Sequence, residues 1–109
     1  MSIMPDNSII VSDITGNTLK IRVRGDDVVT KMKNIGFLQS NDFMVKSVES
    51  EGDKLDLIRD LVKVDALFLF GYGWYPSEVM ANYKEKGLYV GKYKFISWSD
   101  SRSYKVEEK

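Results

Sequence analysis

The chain has 109 residues, sixteen basic and sixteen acidic side chains, no net charge, and neither cysteine nor histidine. That length suits one domain, and 43% apolar with 29% charged residues is the balance of a globular chain, not a disordered one. The two absent residue types exclude disulfides, thiolate nucleophiles, Cys or His metal centres and imidazole-based triads, and the lack of cysteine favours a cytoplasmic setting.

Residues 1–8 are polar and broken by Pro5, so no targeting segment is expected. Ile9-Ile10-Val11 opens the pattern as a short β-rich run. Gly16-Asn17 supplies a turn, and residues 19–24 then alternate, with Leu19, Ile21 and Val23 on one face and Lys20, Arg22 and Arg24 on the other. This predicts a hairpin whose second strand has a basic outer face. Val28, Val29, Met32 and Ile35 recur at helical spacing. Asp26 is the expected N-cap, and Gly36-Phe37 the expected C-terminal stop. Residues 42–48 alternate as a strand. Leu55, Ile58 and Val62, widened by Leu57 and Leu61, form the stripe of a second helix, with Asp53 and Asp56 placed as a capping box.

Residues 64–70 are the most apolar stretch, predicted as a central strand. Their run Ala66-Leu67-Phe68-Leu69-Phe70 is far short of the ~20 residues of a membrane span. After Gly71-Tyr72-Gly73-Trp74-Tyr75-Pro76, Ser77 is read as the cap of a third helix carrying Val79, Met80 and Tyr83, ended by Gly87-Leu88. A last strand spans residues 92–98, and the polar tail 99–109 is expected to fray. Residues 28–48 and 79–98 share a faint helix–glycine–strand pattern. Together these elements predict an α+β fold: a two-layer sandwich of about five mostly antiparallel strands and three helices, in a ferredoxin-like or related split β-α-β arrangement. One domain covers residues 1–109, with 1–7 and 100–109 as flexible ends.

Few residues carry recognisable chemistry. Asp53, Asp56 and Asp60 alternate with Leu55, Leu57 and Ile58 as on a solvated helix face, so no metal site and no cofactor are expected. Gly71-Tyr72-Gly73 lacks the third glycine of a dinucleotide fingerprint and the Lys-Ser/Thr pair of a triphosphate loop. Glu78, early in its helix, is the one carboxylate beside a plausible cleft, and acids favour that position for the helix dipole alone. No catalytic residues are assigned, and the protein is read as not an enzyme.

What remains is the aromatic loop. Tyr72, Trp74 and Tyr75 lie after a buried strand, where open α/β sheets commonly bind ligands, and Tyr and Trp are frequent interface anchors. They are the expected partner-binding residues of a small regulatory or inhibitor-like module whose partner is a protein, a second copy of the chain included. The alternative is nucleic acid, held by Lys20, Arg22, Arg24, Lys92 and Lys94. Tyr83, Tyr89, Tyr93 and Phe95 interleave with the second of these basic clusters and would stack bases. Zero net charge favours the protein partner.

Overall fold

The structure is a computed structural model that describes residues 5, 7–100 and 103–109. It is α+β, with elements in the order β1 (Ser8–Asp13), β2 (Thr18–Arg24), α1 (Asp26–Ile35), β3 (Leu38–Ser40), β4 (Phe43–Ser47), α2 (Glu51–Lys63), β5 (Leu67–Leu69), α3 (Pro76–Glu85), β6 (Lys94–Trp98) and β7 (Tyr104–Glu108). No helix among the described residues is long and apolar enough to cross a membrane.

Among the described residues the strands form one mixed sheet of order β3-β4-β2-β1-β5-β6-β7, seven strands rather than the about five expected. β1, β5 and β6 run parallel, and the outer pairs are antiparallel. β2 and β3, joined by α1, lie on either side of β4. β5 and β6, joined by α3, are direct neighbours.

Two strands escaped the sequence pattern. β3 is three exposed residues, too short to show alternation. β7 lies in the tail expected to fray: Tyr104 pairs with Trp98 and Val106 with Ile96 along the edge of β6. Of the two expected flexible ends, residues 1–4, 6 and 101–102 lie outside the described residues.

Capping explains where the helices begin and stop. Gly36 adopts φ 118°, and the Phe37 N–H returns to the Met32 carbonyl at 3.0 Å, which satisfies the last turn of α1 and inserts Phe37 into the core. Gly87, at φ 74°, ends α3 in the same way, with the Leu88 N–H on the Tyr83 carbonyl. The predicted N-caps were displaced. Gly25 precedes α1 without a side-chain bond, and Ser50 caps α2 by accepting from the Asp53 N–H at 3.1 Å. Tyr75 stands at the N-cap of α3, and Pro76 occupies its first turn.

All three helices cover one face of the sheet. Met32, Leu57, Ile58, Leu61 and Met80 pack against Val11, Leu19, Ile21, Met44, Phe68 and Phe95 in one core cluster. Phe68 is fully buried on central β5, as its apolar run predicts. The opposite face carries only a small cluster of Ile10, Leu67 and Ile96, sheltered by Leu69 and Trp98. Two surfaces follow from this asymmetry. One lies beyond the carboxyl ends of β1 and β5, where the chain leaves in opposite directions, and the other is the helix-free face.

Candidate functional site

The 71–76 loop stands at that carboxyl end, held by a local frame. The Gly71 N–H donates to Ser77 Oγ at 3.2 Å, and Ser77 Oγ lies 3.3 Å from the Gly71 carbonyl. Ser77 therefore closes the loop, where the sequence suggested a helix cap. The buried Tyr93 hydroxyl donates to the Ser77 carbonyl at 3.3 Å. The Tyr75 ring lies on Gly71 so closely that a Cβ there would come within 2.3 Å of it. Only glycine fits beneath that ring.

From this frame the aromatic side chains diverge in role. Phe70 stacks on Phe95 at 5.6 Å and meets Tyr72 edge-on at 5.7 Å, so a chain of rings links the loop to the core. Tyr72 is nonetheless 80% exposed, as is Trp74, and Tyr75 is 48% exposed. Trp74 makes no ring contact or hydrogen bond among the described residues. It does not fold back over the core as a lid.

Two shallow depressions meet at Trp74. The first, of about 370 Å³, is lined by Ser12, Asp13, Thr15, Tyr72, Trp74 and Tyr75. Asp13 is held in place there by the Thr15 N–H at 2.8 Å and the Thr15 hydroxyl at 2.6 Å, and it pairs with no cation among the described residues. The second, of about 390 Å³, runs from Trp74 along α3 past Glu78, Asn82, Tyr83 and Lys86 to Lys54. Lys54 is 4% exposed, and its Nζ donates to the Gly16 carbonyl at 2.9 Å, tying the β1–β2 turn to α2. Its stem follows the Tyr83 ring, with Nζ 6.0 Å from the centroid. Burial, and then the Glu51 carboxylate that accepts its hydrogen bond, push the Tyr83 hydroxyl up to about 12. Glu78 is exposed at the rim. No group of three or more acidic side chains among the described residues could hold a metal ion.

The five cations of the nucleic-acid alternative do not form one patch. Lys20, Arg22 and Arg24 alternate with buried Leu19 and Ile21 and so share the helix-free face of β2. Lys94 shares that face through its register with Leu67 and Leu67's with Ile10, but it pairs with Asp65 at 3.2 Å. Lys92 precedes β6 and lies outside the sheet. The aromatics expected to stack bases are otherwise employed: Tyr89, Tyr93 and Phe95 are buried in the core, and Tyr83 is half-buried against it. Burial also raises the hydroxyl pKa of Tyr89 and Tyr93. Two aromatics that the sequence reading passed over do face the helix-free side. Phe43 lies beneath Lys20 Nζ at 4.9 Å and the Arg22 guanidinium at 5.8 Å, and Trp98 shares a hollow with Phe43, Arg22 and Leu69. The alternation of Phe43 and Val45 was the available signal for the first.

Comparison of the chain with protein-family models, with curated proteins and with solved structures gives no match. The chemistry of these two surfaces carries the functional reading.

Proposed function

We propose that the protein is a non-enzymatic binding or regulatory module that captures a protein partner on the 71–76 loop. The observation that carries this reading is the exposure of Tyr72 and Trp74, each 80% accessible on a loop whose ends are stitched by Gly71, Ser77 and Tyr93. Large aromatics on a prepared frame give contact area at small entropic loss, the pattern of interface anchors. Asp13 beside the three rings favours a partner that offers a cationic side chain, since ring faces and a carboxylate both attract one. A cytoplasmic setting belongs to the same reading and rests on the cysteine-free sequence.

The test is quantitative capture from native lysate on immobilised protein, with the Tyr72→Ala/Trp74→Ala variant in parallel. A protein held by the wild type and released at least thirtyfold more readily by the variant, about 2 kcal/mol of binding, with nuclease treatment making no difference, supports the reading. Equal capture by both overturns it.

A further inference from the structure

The helix-free face of the sheet combines a cation row with flanking aromatics. On β2, Lys20, Arg22 and Arg24 point away from the helices, at alternate positions about 7 Å apart. To one side, on β4, Phe43 lies under two of them. To the other side, across β1 and β5, Trp98 closes the hollow it shares with Phe43, Arg22, Ile10, Ser12 and Leu69, and it leans on Tyr104 at 6.0 Å. Phe43 and Trp98 thus belong to strands four places apart in the sheet, and their side chains converge on that one hollow.

We propose that this face binds single-stranded nucleic acid, with Lys20, Arg22 and Arg24 along the phosphates and the Phe43 and Trp98 rings beneath bases. The spacing supports it. Alternate positions about 7 Å apart on β2 are close to the phosphate repeat of an extended single strand, so the sugar-phosphate chain can follow β2 while bases turn to Phe43 on one side and to Trp98 on the other. The open face of a broad sheet is too wide to enter a duplex groove and leaves room for unstacked bases, so single strands are preferred over duplex. The charge of the face argues against a second copy as its occupant. Lys20, Arg22 and Arg24 share it with Asp13 opposite Lys20, and Lys94 is offset by Asp65 and Glu108, so the β2 row stays net positive and two such rows would repel each other. The two surfaces adjoin at Ser12, which lines both hollows, but no cation or ring named here belongs to the 71–76 loop, and neither proposal depends on the other.

The probes are fluorescein-labelled twelve-nucleotide oligothymidylate and oligouridylate and a twelve-base-pair duplex, followed by anisotropy with the full chain. At about 50 mM salt the expected dissociation constant for the single strands is on the order of 1–10 μM, within the non-specific range. Three phosphate contacts give a log–log salt slope of about −2, so binding weakens about twentyfold by 200 mM. Lys20→Glu with Arg22→Glu abolishes binding. Phe43→Leu, which keeps an apolar side chain of similar bulk over β4, weakens it about tenfold, the loss of one stacked base. Lys63→Glu, on the last turn of α2, leaves it unchanged, and far-UV circular dichroism verifies that each variant is folded. Four results would each overturn the proposal: no anisotropy change up to about 100 μM protein at low salt, tighter binding of the duplex, wild-type affinity in the double charge variant, or a concentration-dependent dimer in light scattering that the double charge variant strengthens.

Discussion

Truncating Trp74 to alanine separates a binding side chain from a structural one. An indole can bury up to ~250 Å². With Trp74 80% exposed, only about a fifth of that area is hidden, roughly 50 Å² and worth about 1 kcal/mol at ~25 cal/mol per Å². A core aromatic truncated in the same way would cost about 3–5 kcal/mol. The assay is urea unfolding followed by circular dichroism and by the emission of the remaining Trp98. The account expects a loss of at most about 1 kcal/mol with an unchanged denaturant slope. In a Trp98→Phe background, Trp74 emission should be red-shifted and readily quenched by acrylamide. A loss above about 2 kcal/mol, or blue-shifted emission resistant to quencher, would mean that Trp74 covers the core, and the loop would no longer be a recognition surface.

Gly71→Ala should lower stability by about 1–3 kcal/mol, because the new Cβ falls within 2.3 Å of the Tyr75 ring, and the loop frame must open to admit it; thermal unfolding measures the loss, and a wild-type midpoint would refute the frame. Phe68→Ala, fully buried between helices and sheet, should cost about 3–5 kcal/mol in urea unfolding; a loss below 1 kcal/mol would contradict a central β5. Tyr83 holds its proton more tightly in the folded chain, so its contribution is whole below its ordinary value of 10.0 and is lost as pH rises through about 12. Stability measured across that alkaline window should fall more steeply for the wild type than for Tyr83→Phe, and parallel curves would contradict the assignment.

How far the sequence discloses this fold depends on how much each segment carries its own pattern. The hairpin, the three helices and β5 show their periodicity within a few residues, and Gly36-Phe37 and Gly87-Leu88 announce their stops because a left-handed residue followed by an apolar one has few other uses. β3 and β7 depend on their neighbours. Tyr104, Val106 and their partners form a strand because β6 offers a free edge, which no local pattern of polar residues reveals. The caps failed for a related reason: Asp53 and Ser77 are suitable caps by type, but Ser50 reached the α2 end first and Ser77 was drawn to Gly71. Lysine and aromatic spacing in residues 83–95 resembled a stacking surface, yet alternation does not say which face the helices cover, and they cover Tyr93 and Phe95. The loop was legible as unusual because Gly, Pro and three aromatics rarely share six residues; the exposure of Trp74 required the structure.

The central claim, that the 71–76 loop is where a protein partner docks, is tested most directly by site-specific photocrosslinking. A benzoylphenylalanine placed at Tyr72 or at Trp74, and in a control at exposed Val90, is irradiated in native lysate. The account predicts one discrete protein adduct from positions 72 and 74 that is absent from position 90 and is suppressed by excess unlabelled wild-type protein but not by Trp74→Ala. The same diffuse adducts from all three positions, or a discrete adduct from position 90 alone, would contradict it.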